Sequence, residues 1–485
     1  MKPLITLINC FSGNPSPPDA PPYGLLYVGS AIQRAGFPAR IYDRHLDIQM
    51  DVKKFCDQFI SDEYQIVGLG GVASAYKDAI QIASYIKSKK PEIKIIVGGY
   101  LGSTSNQLLI HALIDAVVHG EGEITTIELL CALLQNKPLA SIRGISYLNE
   151  GKIIKTPSNK QIENLDEIPF PDYSLVEMEN YLIPADKAPY FRLDSRSKNY
   201  KGTLIDIKTS RGCINSCTFC YRHVKGMRHH SPEYVLKHMK YLHEMYNAVF
   251  FNISDELTIS KAEWVDDFCR LKYEQNLDIL FRINSARVDL ITEEMLQKLK
   301  NAGMVAITYG IESGSQKMLN AMFKHTTVEQ NLNALHLTYK IGLQTTIPLV
   351  VGLPEENFST VFETARFLIA CPHYPNIMEN EYDDMTDLRV FNPIAFPGTV
   401  LYQQGLKLKI IANEHEYLWS LNDNAVMRTY NYTRYPDFIL KLWRYSFYFI
   451  YRSMYFLEKR EFLNFFRLIG RSILSLGKNF LNLRR

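Results

Sequence analysis

Two long stretches of the sequence alternate short apolar runs with helical patterns, and this alternation restricts the fold more than any other feature. In the first stretch the apolar runs occupy residues 4–8, 39–42, 66–69, 93–97 and 116–118, with helical patterns at 25–35 and 76–88. Strands that alternate with helices predict an α/β fold with a parallel, doubly wound sheet. Glycines follow three of the runs, at Gly70, Gly71, Gly98, Gly99, Gly120 and Gly122. Because such sheets bind ligands at the carboxyl ends of their strands, we expect a ligand at this edge.

The second alternating stretch begins near residue 201 and has apolar runs at 204–208, 249–253, 279–283, 306–309 and 344–351. Repeated strand–helix units predict a full or partial (β/α) barrel, with functional residues at the carboxyl ends of the strands. Helix N-caps are predicted at hydroxyl residues, namely Ser231, Ser260, Thr292, Thr327 and Ser359. Between the two stretches, residues 145–148 and 152–155 flank Asn149-Glu150-Gly151 and predict a β-hairpin, which a proline-containing connector follows.

Three of the eight cysteines lie within eight residues, just after the first predicted strand of the second stretch. Cys213, Cys217 and Cys220 have the spacing CxxxCxxC. Three thiolates on one tight loop can ligate three irons of a [4Fe–4S] cluster and leave the fourth iron open to another ligand. A structural zinc site is the alternative, with His223 as a fourth ligand, but such sites usually use CxxC pairs.

The cysteine loop resembles that of the radical S-adenosylmethionine (SAM) superfamily, whose signature has an aromatic residue before the third cysteine, here Phe219. The resemblance implies that the open iron chelates SAM and that a 5′-deoxyadenosyl radical abstracts hydrogen from unactivated carbon. It also implies that Phe219 packs near the adenine of SAM. Further SAM contacts are expected at later strand ends, from Asp255, Glu256, Asn284, Arg287, Glu312 and Gly352. The segment after Gly352 departs from the family at Glu355 and Asn357, where glycine and threonine are usual.

The N-terminal stretch resembles the cobalamin-binding domain that precedes many radical SAM barrels. The matching segments are Pro21-Pro22-Tyr23-Gly24-Leu25-Leu26-Tyr27, Val97-Gly98-Gly99 and Gly120-Glu121-Gly122-Glu123. The resemblance implies that residues of these segments, together with the two glycines after the third predicted strand, bind cobalamin. They are Pro22, Gly24, Gly70, Gly71, Gly98, Gly99, Gly120, Glu121, Gly122 and Glu123.

One feature of histidine-ligated cobalamin domains is missing from the expected place. Those domains carry DxHxxG after the first strand, and the corresponding loop here has no histidine. Asp43-Arg44-His45 imitates the first half of that motif, but it follows the second strand. We therefore expect cobalamin to bind without a protein histidine on cobalt, and we expect His45 to be an ordinary surface or loop residue.

Composition and charge indicate which kinds of partner and which cellular location to expect for this chain. A formal net charge of +3 gives no support to a nucleic-acid partner, and no run of about 18 uncharged apolar residues predicts a transmembrane helix. Sparse, mostly scattered cysteines favour a reducing, cytoplasmic location. From about Asp437 the sequence is helical and aromatic, and basic residues outnumber acidic ones after Arg452. This region is either a helical cap on the barrel or an amphipathic surface for peripheral contact with a membrane or a lipid-like substrate.

The expected organisation is a cobalamin-binding domain over 1–140, a hairpin and linker over 141–200, a radical SAM barrel over 201–410 and a helical region over 411–485.

The resemblance covers residues 4–410 and implies methyl transfer to an unactivated carbon, or less often phosphorus, with a reductase, flavodoxin or ferredoxin as electron donor. Relatives also include a ring cyclase and a ring-contracting oxidase, so cyclisation or rearrangement is the second possibility. The substrate is expected to be a small molecule rather than a macromolecule, and the aromatic C-terminal region favours an apolar or lipid-like one. A non-catalytic Fe–S redox protein is the third possibility, although pure electron carriers usually close the fourth iron position.

Overall fold

The computed structural model describes residues 4–60, 64–373, 388–423, 430–463 and 466–467. Its N-terminal elements are β1 (Leu4–Asn9), α1 (Tyr23–Arg34), β2 (Ala39–Asp43), α2 (Val52–Asp57), β3 (Tyr64–Gly70), α3 (Tyr76–Lys89), β4 (Lys94–Val97), α4 (Ser105–His111), β5 (Ala116–Val118), α5 (Gly122–Leu134), β6 (Ile145–Asn149) and β7 (Lys152–Lys155). The strands form one sheet in the order β2-β1-β3-β4-β5-β6-β7. The first five are parallel, as predicted, and each predicted strand lies within two residues of its observed ends. The predicted hairpin, β6 and β7, is hydrogen-bonded to β5 and extends this sheet.

Helices cover both faces of this sheet, because its central strands are apolar on both sides. Successive side chains of a strand point to opposite faces. Leu7 accordingly packs in a core with Leu26 of α1 and Leu129 of α5. Its neighbour Ile8 packs in a second core with Ile82 of α3.

A linker with β8 (Ile183–Pro184) and α6 (Pro189–Leu193) leads to the barrel. The barrel elements are β9 (Thr203–Ile207), β10 (Ser210–Gly212), β11 (Met227–His229), α7 (Pro232–Tyr246), β12 (Ala248–Ile253), α8 (Ala262–Glu274), β13 (Leu280–Ala286), α9 (Glu293–Asn301), β14 (Met304–Tyr309), α10 (Gln316–Ala321), α11 (Val328–Ile341), β15 (Ile347–Val350), α12 (Phe358–Ala370) and β16 (Leu388–Phe391). Strands β9, β12, β13 and β14 are parallel neighbours. Isolated bridges join β14 to the parallel pair β15 and β16, so the strands form a partial barrel.

Three predicted helix caps are confirmed and two are wrong. The hydroxyls of Ser231, Thr292 and Thr327 accept hydrogen bonds from the first turns of α7, α9 and α11. Ser260 does not cap α8, whose N-cap position is Lys261. Ser359 lies inside α12, and the carboxamide of Asn357 caps that helix by accepting from the N–H groups of Ser359 and Thr360. Asparagine at the true N-cap supplies the same acceptor oxygen as a hydroxyl residue, which explains the two-residue error.

Helix α13 (Val400–Lys407) follows the barrel strands. The predicted helical region, 411–485, contains α14 (Glu414–Leu421) and α15 (Asp437–Glu458), and its residues 424–429, 464–465 and 468–485 lie outside the described residues. Helix α14 contacts α3 of the N-terminal sheet, where the Tyr76 hydroxyl lies 2.8 Å from His415 Nδ1. Helix α15 packs against α12 and β16, and the Tyr448 hydroxyl accepts a hydrogen bond from Val390 N. No helix among the described residues is both long and apolar enough to cross a membrane.

Candidate functional site

One cavity of about 520 Å³ lies between the N-terminal sheet and the barrel, and both contribute to its wall. The sheet contributes residues at the carboxyl ends of β1, β3, β4 and β5, including Asn9 and Gly70. The barrel contributes residues that follow β9 and β12, including Lys208 and Asp255. The strand ends of two different sheets therefore face a common space, as the sequence predicted for each sheet separately.

The sheet side of the cavity is a groove whose glycines keep the backbone uncovered. It extends along the sheet to Leu7 and Gly68 and is closed on its other side by α1 and α5. A Cβ at Gly70 would lie 2.7 Å from a methyl of Leu25, and Gly99 has a φ of +69° that side chains rarely adopt. Glycine is thus required both for packing and for backbone conformation. A deep groove with an open backbone fits a large cofactor such as cobalamin.

All of the residues predicted for cobalamin line this groove, namely Pro22, Gly24, Gly70, Gly71, Gly98, Gly99, Gly120, Glu121, Gly122 and Glu123. The two carboxylates, however, are already paired. Arg211 donates to Glu121 at 3.0 Å and to Glu123 at 2.6 Å. Arg228 donates to the second oxygen of Glu121 at 3.0 Å. The main contacts of Glu121 and Glu123 are therefore ion pairs, which connect this loop to the barrel. Their predicted contacts with the cofactor would be additional to these ion pairs.

Arg211 is the centre of this network, and no local sequence pattern indicated its role. It directly precedes the cysteine loop, on β10, and its guanidinium lies 5.1 Å from the centre of the Tyr27 ring of α1. Burial alone would raise the pKa of Glu121, but hydrogen bonds from Arg228, Ile162 and Arg211 hold that pKa below its usual value. Glu121 is thus an anion in the folded protein, and the loop of the N-terminal domain is fixed electrostatically to the strand that begins the cysteine loop.

His45 lines the same cavity, although we expected it to be an ordinary surface or loop residue. It does lie in a loop, after β2, but its side chain is only 15% exposed. Nδ1 lies 3.1 Å from Oδ1 of Asp43, and Nε2 accepts a hydrogen bond from Ser12 N at 3.2 Å. Both ring nitrogens therefore have partners within the protein.

The cysteine loop connects two antiparallel strands, β10 and β11. Gly212, just before Cys213, has a φ of +83°, and a Cβ there would lie 2.2 Å from the Gly226 carbonyl oxygen, so only glycine fits this close approach. The loop is anchored to the C-terminal end of α10 and to the start of α13, because Thr218 N donates to Met322 O at 3.0 Å and Leu401 N donates to Thr218 O at 2.9 Å. The cysteine positions are thereby fixed by backbone hydrogen bonds on both sides.

The three thiols are close enough to interact electrostatically. Burial, followed by the charges of Cys217 and Cys213, raises the pKa of the Cys220 thiol to about 11. Burial also raises the pKa of Cys217, which the positive charge of Lys324 partly offsets. Binding of a metal cluster would have to overcome this preference for the neutral thiol, since the thiolate is the form that ligates metal. Among the described residues no three His, Cys, Asp or Glu side chains converge as they would around one metal ion; a cubane cluster instead places its three thiolates on different irons.

The residues predicted to contact SAM fall into three groups. Asp255 and Glu256 line the cavity. The buried carboxylate of Asp255 accepts from Thr209 N at 2.8 Å and from Ser210 N at 3.2 Å, so it braces the strand before the cysteine loop. Glu256 is exposed, and it accepts a hydrogen bond from the Tyr100 hydroxyl of the N-terminal domain. Of these two, Glu256 has the carboxylate that a cofactor can reach.

A second group comprises Arg287 and Glu312, which lie beside the cysteine loop, and Asn284, whose side-chain hydrogen bonds within the described part of the chain are with Arg282 only. Arg287 donates to the side chain of Asn215, which lies between the first two cysteines. Glu312, in a left-handed backbone conformation, is paired with Lys324 at 2.9 Å. Asn284 lies on β13 and accepts from Arg282 at 2.7 Å. These side chains place both signs of charge beside the cluster position, as binding of the zwitterionic amino acid end of SAM requires.

The third group lies away from the cavity wall. The half-buried ring of Phe219 packs against the second core, which includes Tyr402. Gly352 N donates to the buried carboxylate of Glu356 at 2.6 Å, and the Gly352 Cα lies near Leu440 of α15. The SAM contacts of Phe219 and Gly352 remain predictions.

Comparison with known proteins agrees with this architecture. Residues 207–368 match the radical SAM superfamily model and residues 13–130 match the B12 binding domain model. The chain is 32% identical over 354 residues to an uncharacterized methyltransferase of Pyrococcus horikoshii, and the match covers 72% of each chain. It is 28% identical over 360 residues to the anaerobic magnesium-protoporphyrin IX monomethyl ester cyclase of Rubrivivax gelatinosus, covering 71% of this chain but only 61% of the cyclase. In fold it is similar to the radical SAM methyltransferase TsrM of Kitasatospora setae, solved with cobalamin and a [4Fe–4S] cluster, with a TM-score of 0.65, 17% identity, and coverage of 84% of this chain and 79% of TsrM.

A doubly wound domain and a three-cysteine barrel that share one cavity define a radical SAM enzyme with a second cofactor domain. The chain belongs to the cobalamin-dependent radical SAM enzymes. The cofactors of this family are a [4Fe–4S] cluster, SAM and cobalamin, as the sequence predicted, and the predicted fold class is confirmed.

Proposed function

We propose that this enzyme transfers a methyl group to an unactivated carbon, or less often to phosphorus, of a small-molecule substrate. The observation that carries the proposal is the cavity between the two domains, whose wall includes the glycine groove and Ser210, Arg211 and Gly212, the strand that leads into the cysteine loop. The three cysteines follow this strand directly but do not themselves line the cavity. A substrate in that space would lie between the groove and the start of the cluster-binding loop. The similarity to the Pyrococcus methyltransferase supports methyl transfer over other reactions of the same cofactors.

The chain's own residues bind and orient the reactants. Cys213, Cys217 and Cys220 hold the cluster, the groove residues hold cobalamin, and Glu256, Asn284, Arg287 and Glu312 surround SAM. When bound, the cofactors supply a hydrogen-abstracting radical and a transferable methyl group. The network around Arg211 keeps the groove and the cysteine loop in a fixed relative position, which is the requirement for a reaction between groups held by two domains.

The test is anaerobic reconstitution with iron, sulfide and hydroxocobalamin, followed by dithionite and SAM. Mass spectrometry then measures 5′-deoxyadenosine and S-adenosylhomocysteine. We expect both products, their loss in Cys217→Ala, and their retention in Cys131→Ala, which replaces a partly buried cysteine on α5. Neither product from a protein with a fully loaded cluster would contradict the proposal and favour a redox protein.

Cyclisation or rearrangement is the second candidate, and the similarity to the Rubrivivax cyclase favours it. It predicts 5′-deoxyadenosine without S-adenosylhomocysteine in the same assay. A product that gains no methyl mass would decide for it.

The substrate and partners belong to the same proposal. A large apolar or lipid-like substrate is proposed from the aromatic C-terminal region, and peripheral membrane contact by that region would give access to it. The electron donor is proposed to be a reductase, a flavodoxin or a ferredoxin. Nucleic acid is not proposed as a partner, because the formal net charge is only +3.

A further inference from the structure

Helix α15 has two apolar faces. One faces the barrel, with Leu440, Trp443 and Phe447 each less than 4% exposed. The opposite face carries Phe438, Leu442 and Tyr445, which are 56%, 45% and 54% exposed. These positions repeat every three or four residues, so they form one stripe along the helix. A helix that only caps a barrel needs the first face and not the second.

The neighbouring helix α12, which packs against α15, carries a second exposed apolar stripe. Phe358 and Phe362 are 56% and 64% exposed, and Ile369, two turns further on, is 49% exposed. The ring of Phe358 lies 5.3 Å from that of Trp443, which is on the buried face of α15, so the start of α12 packs against that face. We call the six residues of the two stripes the aromatic face; they are Phe358, Phe362, Ile369, Phe438, Leu442 and Tyr445.

Positive charge is concentrated around the aromatic face. Arg366 of α12 and Lys441 of α15 are exposed beside it, and Arg434 is exposed just before α15. From Asp437 to Arg485 the sequence has ten basic and three acidic residues, although the whole chain is only +3. The last acidic residue is Glu461. The rest of the sequence is therefore net acidic, and the excess of basic residues belongs to the sequence segment that begins with α15.

We propose that the aromatic face docks on an anionic lipid surface. Interfacial helices place aromatic and aliphatic side chains at the boundary between headgroups and acyl chains while lysine and arginine contact acidic headgroups. Exposed apolar stripes with basic residues beside them have this chemistry. The biological purpose of docking, delivery of a lipid-like substrate, rests on the proposed function. Docking itself can be measured without turnover.

The test is flotation of the full-length protein with vesicles of phosphatidylcholine alone or with added phosphatidylserine. We expect binding to the anionic vesicles that weakens as salt rises. The triple variant Phe438→Ser, Leu442→Ser, Tyr445→Ser should lower the vesicle partition coefficient by about tenfold or more, since three apolar side chains lose their burial. Its matched control is Ile110→Ser, Leu113→Ser, Tyr273→Ser, three residues that are 59%, 63% and 88% exposed elsewhere, and it should bind as the parent protein does.

Several outcomes would overturn the proposal. These are no binding to anionic vesicles, equal binding to both vesicle types at all salt concentrations, or equal loss in the triple variant and its control. Self-association that the triple variant abolishes, without vesicle binding by the parent, would assign the face to a second copy of the chain instead. Because flotation is measured without SAM or reductant, a failure of docking and a failure of methyl transfer are separate results.

Discussion

Replacing Arg211 with methionine should weaken the junction between the cobalamin-binding domain and the barrel. Arg211 is 19% exposed and pairs with Glu121 and Glu123, whose side chains are 7% and 9% exposed. Arg211→Met removes the ion pair of Glu123 and leaves Glu121 with Arg228 and the N–H of Ile162. Breaking a buried ion pair in this way typically costs about 3–5 kcal/mol, because a desolvated charge stays uncompensated. Urea unfolding followed by circular dichroism measures this loss.

The matched control is Arg270→Met. Arg270 also contacts two acidic residues, Asp267 and Glu274, but all three side chains are more than half exposed on α8. Exposed ion pairs contribute about 1 kcal/mol or less. The difference between the two arginine variants therefore isolates the effect of burial at the junction.

A second substitution distinguishes an unpaired charge from a simple loss of packing. Glu123→Gln added to Arg211→Met removes the uncompensated carboxylate, so the double variant should be more stable than Arg211→Met alone. In the parent background Glu123→Gln should instead destabilise the protein. The reasoning is refuted if Arg211→Met costs no more than Arg270→Met, or if Glu123→Gln has the same effect in both backgrounds.

Two further predictions concern single side chains. The electron paramagnetic resonance spectrum of bound cob(II)alamin should show no nitrogen splitting from a protein ligand, and His45→Ala should leave the spectrum unchanged. The reason is that Nδ1 and Nε2 of His45 already contact Asp43 and Ser12. Nitrogen splitting that disappears in His45→Ala would show that His45 ligates cobalt. Burial raises the pKa of Glu356 from its usual 4.5 to about 7, although N–H groups of Gly352 and Leu353 partly oppose this. Because the folded-state pKa is the higher one, the stability from this group is fully present below pH 4.5 and is lost as the pH rises through 7, by roughly 3 kcal/mol. Glu356→Gln should remove that part of the pH dependence of the unfolding free energy and exposed Glu263→Gln should not, and identical pH profiles for all three proteins would contradict the assignment.

The strands and the cysteine loop could be predicted because their signals are local. Apolar runs such as 66–69, glycines after strand ends and the spacing of Cys213, Cys217 and Cys220 all act within a few residues. The strand at 344–351 was predicted too long, and the observed β15 is Ile347–Val350, since alternation does not mark where hydrogen bonding to a neighbour begins. Strands β10, β11 and β16 were not predicted, because an arginine interrupts each of them, at Arg211, Arg228 and Arg389, so that none forms an apolar run.

The partners of charged side chains could not be predicted, because they are distant in sequence. Arg211 and Glu121 are 90 residues apart, and Tyr100 and Glu256 are 156 apart. The sequence could assign Glu121 and Asp255 to a site by resemblance, but not show that both carboxylates already accept hydrogen bonds from the protein. His45 was placed in a loop correctly, and its position in the cavity wall depends on how that loop folds over Ser12.

The shared cavity has a consequence for how such enzymes diversify. Each domain contributes its own strand ends, and these are fixed by hydrogen bonds within that domain's sheet. Helices on the outside, such as α12 and α15, can change in sequence without moving the cavity wall. Changes in these outer helices can thus give related enzymes new substrates or new cellular locations. The distance between the cobalamin groove and the cysteine loop stays the same.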